Sequence, residues 1–343
     1  MALQFGLDTF GDVTRGADGE RISDAQTIRN VVDQARLADE LGINFFGIGE
    51  HHRAEYAVSS PEMVLSAIAS VTKNIQLGTG VNVLSSDDPV RVYEKFATLD
   101  AVSSGRAEIV VGRGSFIESF PLFGFSLNDY EVLFEEKLEL LTTILNDNPS
   151  ITWTGHTRAS LTDVELFPKT EHKMPVWVGV GGSPESVVRA ARYGHGLALA
   201  IIGGSAQRFR PFVDLFHKSV QTFGFSPQPV AVHSPGYIAA TDEEAWDATY
   251  EHVKAMSDKI GAERGWPPYT RAQFQHEVGP DGAQYVGSVE RVAQKIAATA
   301  RALEIDRFDF KYASGPMPHE NLMSSIELYG TQVIPRVREL LGE

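Results

Sequence analysis

A chain of 343 residues, 43% hydrophobic and 22% charged, has the make-up of a folded globular protein with one large core. Its net charge of −15 argues against nucleic-acid or anionic-membrane partners, and the absence of cysteine removes disulfides, thiolate nucleophiles and cysteine-held metals, so redox chemistry would need a bound cofactor. The opening MALQFGLDTFG has no basic n-region or cleavage pattern, and no run reaches about 18 apolar residues, so a cytoplasmic protein is expected.

Residues 3–10, LQFGLDTF, read as a first strand. Ser23 and Gln26 make a capping-box pattern ahead of a helix with Ile28, Val31, Val32, Ala35, Ala38 and Leu41 on one face, ending at Gly42. NFFGIGE is the second strand, and Ser60 with Pro61 starts the next helix. IQLGTGVNVL is the third strand, followed by a helix from Asp88 and Pro89. AEIVVGRG is the fourth, with a long helix from about Asn128 to Asn146. PVWVGVGG is the fifth, with its helix capped by Ser183 and Pro184. GLALAII with a helix near 209–223, PVAVHSPGYIAA with a Thr241 to Glu244 capping box, and RFDFKYA near 307 bring the strands to eight. Apolar strands each followed by a helix imply a parallel sheet and fit an α/β fold of the (β/α)8 TIM-barrel type, a single domain over 1–343, with a doubly wound open sheet as the alternative. Two insertions interrupt the rhythm: a hairpin near 149–172, and a long Pro/Gly/aromatic loop near 262–287. Trp266, Tyr269, Phe274 and Tyr285 of that loop fit an apolar pocket, a dimer interface or the barrel rim.

In a barrel of this type the active site lies at the C-terminal strand ends. These are Asp8 to Phe10, Glu50 and His51, Gly78 to Gly80, Gly112 to Gly114, and Gly179, Gly181 and Gly182. Glycines at three neighbouring ends suggest room for a flat or bulky ligand, although each is also explained as a turn former. GVGGSPESV resembles a phosphate-binding turn, with Gly181 and Gly182 allowing close approach and Ser183 offering a hydroxyl at a helix N-terminus; Ser183 is equally explained as a plain N-cap. Arg113 supplies charge for a bidentate phosphate contact or makes a structural ion pair. His51 and His52 are adjacent on a strand and point to opposite faces, so a shared metal is not expected. One of them instead faces the mouth as a base or hydrogen-bond donor, its tautomer held by Glu50 or a backbone carbonyl.

Four segments, GIGEHH at 47–52, IQLGTGVNVL through GRG at 75–114, VWVGVGGSPESVVRAARYGHG beginning at 176, and SIELYGTQVIPRVREL at 325–340, resemble the bacterial luciferase-like flavin monooxygenases over nearly the whole chain. The resemblance implies a dimeric (β/α)8 barrel that binds reduced FMN at the strand ends. His51 matches the histidine near the flavin, Arg113 and Ser183 match phosphate contacts, and Thr79, Gly80 and Val81 match the segment under the ring, with a non-prolyl cis peptide joining Gly80 to Val81. Gly112 stands where luciferase has a reactive cysteine, so light emission is not implied, and Tyr93 replaces a small residue, a change expected to reshape the pocket mouth. The implied activity is oxygenation of a small organic substrate by reduced FMN and O2, with electrons from NAD(P)H or a partner reductase. A deazaflavin-dependent hydride transfer, a flavin-binding protein without turnover and a metal-dependent hydrolase are the alternatives.

Overall fold

The computed structural model describes residues 2–16, 19–114, 116–146 and 149–343. Its strands are β1 (Gln4–Thr9), β2 (Phe45–Ile48), β3 (Gln76–Thr79), β4 (Asn82–Val83), β5 (Ile109–Gly112), β6 (Ile151–Trp153), β7 (Leu161–Val164), β8 (Val176–Val180), β9 (Gly196–Ala200), β10 (Val230–Ala239), β11 (Tyr285–Ser288) and β12 (Arg307–Lys311). Nine of them pair in parallel in the order β3-β2-β1-β12-β10-β9-β8-β5-β4. β3 and β4 are halves of one strand, interrupted at a cis peptide between Gly80 and Val81. The first half bridges toward β5 through Leu77 and Ala107, and the second pairs with β5 at Asn82 and Val111, so the ring nearly closes on itself as eight staves. All eight strands expected from the sequence are present.

The helices are α1 (Asp24–Glu40), α2 (Pro61–Val71), α3 (Pro89–Ser103), α4 (Ser119–Leu122), α5 (Tyr130–Leu145), α6 (Pro184–Arg192), α7 (Arg210–Thr222), α8 (Asp242–Arg264), α9 (Arg271–Val278), α10 (Val289–Leu303), α11 (His319–Leu328) and α12 (Ile334–Leu341). Their apolar faces cover the outward residues of the strands, such as Phe5, Leu7, Phe46, Phe308 and Phe310, all fully buried. No helix among the described residues is long and apolar enough to cross a membrane. Side-chain caps on Ser23, Asp88, Ser183 and Thr241 start α1, α3, α6 and α8. The capping box expected at Ser23 is half made, because the Gln26 side chain turns to Asn30 instead. Pro61 starts α2 without a side-chain cap from Ser60.

The first insertion is the expected hairpin, β6 against β7. The second is not a plain loop: Thr270 and Gln273 complete a reciprocal capping box at α9, and β11 adds to the outer end of β10. Two of its aromatics are core residues, Phe274 edge-on to Tyr250 at 5.4 Å and Tyr285 against Phe308 at 4.8 Å. Tyr93 also lies away from the mouth, buried on α3 with its hydroxyl 2.9 Å from the Pro168 carbonyl oxygen.

The barrel interior is charged. Alternation along β12 sends Arg307, Asp309 and Lys311 inward. The Arg307 guanidinium sits between the rings of Phe45 (4.0 Å) and Trp177 (4.4 Å) and bonds Glu108 (2.6 Å) and Asp309 (3.1 Å). Burial pushes the Asp309 carboxyl up to about 7, against the pull of Arg307 and with help from Asp8 and Glu108. Interior glycines make room for these groups. A Cβ on Gly6 would meet Asp309 at 2.1 Å, and one on Gly196 would meet Trp177 at 2.6 Å.

Candidate active site

His51 leaves the end of β2 into a nest of rings. Its imidazole stacks on Tyr56 at 4.6 Å and meets the edges of Phe10 (4.7 Å) and Phe116 (4.9 Å). Nδ1 faces Glu118 Oε1 at 3.3 Å, from the residue that starts α4. Burial works against the Glu118 carboxylate, but the hydrogen bond to His51 and the nearby charges outweigh it and hold its pKa below the usual value. Glu50 does not hold the His51 ring. It lies 2.8 Å from His52 Nε2 and accepts a 3.3 Å bond from the Val83 amide, so it ties β2 to β4 while the two histidines face different partners.

Beside His51 the mouth contains a pair that sequence reading did not single out. His233 Nδ1 lies 2.6 Å from Asp8 Oδ2. Burial opposes the imidazolium, but the Asp8 carboxylate outweighs it, so the His233 pKa is raised. Phe10 joins the two histidines, stacked 6.3 Å from His233, with the Lys311 ammonium 4.6 Å from its ring centroid. Asp8 also neighbours the cis peptide: its Cβ is 3.7 Å from where a Gly80 Cβ would stand. The signal for this pair was a single histidine in the apolar run VAVHSP and an aspartate on the inward register of β1.

The glycine-rich ends of β5 and β8 do two different things. Gly112 and Gly179 make space for the Val81 side chain, since a Cβ on either would approach its methyls to 2.6 and 2.9 Å. Their role is packing, and the expectation of ligand space at those positions does not hold. Gly181 is different: a Cβ there would meet nothing within 4 Å. Gly182 has φ +112°, a left-handed backbone that a side chain would strain. Thr79 is withdrawn from the mouth, fully buried with its hydroxyl donating to the Val110 carbonyl oxygen at 2.8 Å.

Arg113 and Ser183 meet through a third residue. An Arg113 Nη2 donates to Ser186 Oγ at 3.0 Å, and Ser183 Oγ bonds Ser186 Oγ at 2.9 Å while capping the Ser186 amide at 3.2 Å. Glu131 balances the guanidinium from α5, and the Tyr130 ring lies under it at 5.1 Å. Two hydroxyls and a guanidinium converge at the N-terminus of α6 beside bare glycine backbone, which suits a phosphate. Val81 links this corner to the rest, because it packs on Gly112, next to Arg113, and on Gly179 ahead of Gly181. A corner of cationic and hydroxyl groups, the Gly80–Val81 cis peptide, buried His51 and partly buried His233 therefore share one barrel mouth.

A family model described as luciferase-like monooxygenase matches residues 8–307. Over 179 residues the chain is 33% identical to the N-acetyl-S-alkylcysteine monooxygenase of Bacillus subtilis, covering 51% of this chain and 52% of that one. It is 21% identical to an alkanal monooxygenase alpha chain of Photorhabdus luminescens, covering 96% and 98% of the two chains. In fold it is similar to monooxygenase RslO1 of Streptomyces bottropensis, with a TM-score of 0.82 at 23% identity, covering 97% and 99%. The oxygenating constituent of 3,6-diketocamphane monooxygenase from Pseudomonas putida, solved in complex with FMN, superposes at 0.76 with 20% identity and 98% and 99% coverage. The coenzyme F420 dependent tetrahydromethanopterin reductase of Methanopyrus kandleri superposes at 0.74 with 19% identity and 98% and 100% coverage.

Proposed function

This chain belongs to the luciferase-like monooxygenase family and is an oxidoreductase, and from that premise we propose that it uses reduced FMN and O2 to oxygenate a small organic substrate. The observation that supports a phosphate-bearing flavin is the Arg113–Ser186–Ser183 corner at the ends of β5 and β8. Arg113 and both serines would hold the FMN phosphate at the N-terminal end of α6, with Gly181 and Gly182 allowing its approach. Gly80 and Val81 would support the ring, with Thr79 contributing backbone alone.

Bound reduced FMN would supply the electrons and the reaction with O2. The chain's own residues would position, shield and move protons. Glu118 holds His51 Nδ1, which leaves Nε2 as the nitrogen that exchanges a proton with the substrate side. The rings of Phe10, Tyr56 and Phe116 keep water from that imidazole. Glu50 serves by fixing the strand ends.

The reading includes electrons from NAD(P)H or a separate flavin reductase, a cytoplasmic location and a homodimer. Exposed Met63 and Val71 on α2 and Val102 on the adjoining α3 support an apolar contact between copies. Titration of the flavin-free protein with FMN and with the deazaflavin coenzyme, followed by absorption and by oxygen uptake after reduction, tests the proposal. Saturable FMN binding and substrate-dependent oxygen uptake are expected. Binding of the deazaflavin alone, or flavin binding without turnover, would overturn it.

A further inference from the structure

Across the mouth from the phosphate corner lies a cavity of about 230 Å³. In the ring order, β1 and β12 stand opposite β5 and β8. The cavity is built from the segments that follow β1, β2 and β12 together with α8, so it occupies that opposite side. Tyr56 separates it from His51: one side of the tyrosine stacks on the imidazole, and its hydroxyl lies 3.7 Å from Met256 Sδ in the cavity wall.

The wall has two chemical halves. Buried Val13 and half-buried Met256 and Pro316 form an apolar inner part, and Arg15, Arg21 and Lys259 line the exposed outer part. Glu55 is the one carboxylate among the described lining residues, and it is already paired with Lys259 and Arg53. With Lys259 taken up by Glu55, Arg15 and Arg21 are the lining cations left to meet an anion, in a protein of net charge −15. Among the described residues, Arg21 uses Nη2 for Asp24 (2.7 Å) and the Ala54 carbonyl oxygen (3.1 Å), and Arg15 uses Nη1 for the Gly19 carbonyl oxygen. The Arg21–Asp24 pair is more than half exposed on both sides, so it contributes little and yields readily to a better-placed anion. Thr14, also in the wall, has a buried hydroxyl without a partner among the described residues.

We propose that this cavity is the substrate chamber and that it takes a small carboxylic acid anion, its apolar chain against Val13, Met256 and Pro316 and its carboxylate at Arg15 and Arg21. The assignment as substrate rests on the flavin reading of the mouth. In this orientation the chain end is directed toward Tyr56, the ring that stacks on His51, and the acid group stays at the rim, which makes the carboxylate a handle and the chain the part that is oxidised. An arginine fork discriminates a carboxylate from a neutral group of the same shape, because the amide offers no charge to the guanidinium.

Isothermal titration of the flavin-free protein with hexanoate and with hexanamide tests this directly. Hexanoate should bind at least about tenfold more tightly than hexanamide. The double variant Arg15→Gln/Arg21→Gln should bring hexanoate to the level of the amide and leave the amide unchanged, and Met256→Trp, which fills the apolar half, should weaken both. Equal binding of the two ligands, no hexanoate binding, or hexanoate binding that ignores the arginine or Met256 changes would overturn the assignment. The comparison of the two ligands on the unaltered protein needs no variant to fold. FMN binding is followed separately by quenching of flavin fluorescence: its failure beside intact hexanoate binding would remove the flavin reading, and the converse would remove the acid site alone.

Discussion

Nδ1 of His233 lies 2.6 Å from Oδ2 of Asp8, inside a barrel whose next inward layer holds Asp309 and Arg307. Asp8 is the acidic group in direct contact with the imidazole, and Lys311 and Asp309 act on it from β12. With its folded pKa raised, the imidazolium contributes stability in full below the unfolded value of about 6.5, and that contribution is lost as pH rises through the folded value. Asp8→Asn should therefore bring the His233 titration, followed by imidazole NMR, below the ordinary histidine value, because burial is then left to act. It should cost about 1–3 kcal/mol at pH 6, a penalty that narrows as pH rises through the folded value. An unmoved titration would show that Asp8 does not set the charge.

His51→Ala should lower kcat about a hundredfold or more while FMN affinity changes by no more than a few-fold, since the side chain is assigned to proton transfer rather than to holding the cofactor. Glu118→Gln should lose part of the same activity, and Glu50→Gln should act mainly on stability because its partners are His52 and the Val83 amide. Unchanged turnover in His51→Ala would end the assignment.

Arg113→Ala should weaken FMN binding by about 2 kcal/mol, roughly thirtyfold, the loss of one charge-assisted contact. Ser186→Ala should weaken it less, because the serine both joins Arg113 and accepts from Ser183. Fluorescence titration with FMN and with riboflavin, which lacks the phosphate, separates the effect: riboflavin affinity should be nearly unaffected. A matching loss for riboflavin would place Arg113 away from the phosphate.

Gly112→Ala would set a Cβ 2.6 Å from a Val81 methyl. Overpacking there should cost about 1–3 kcal/mol in denaturant melts, and Val81→Ala in the same chain should restore much of it. Additive losses in the double variant would show that the two side chains do not compete for the same space.

The eight strands, their order in the chain and the hairpin near 149–172 were legible in the sequence, because parallel barrel strands are short apolar runs that announce themselves between capped helices. Ser183 was legible as a cap for the same local reason. The α9 and β11 segments were not: Pro267, Pro268, Gly279 and Gly282 flank them and read as loop, and only the Thr270–Gln273 box marked a helix there. RFDFKYA shows its alternation openly, yet which face of a strand enters the barrel depends on the ring around it. Sequence alone thus determined the succession of elements and the polar residues at strand ends. The tertiary structure decided which of those residues meet: His51 with Glu118 across 67 positions, Arg113 with Ser186 across 73, and Asp8 with His233 across 225. The physical reason is that local propensity acts within a few residues, whereas closing the barrel brings distant strand ends within hydrogen-bond range and alone sets each side chain's burial and charge.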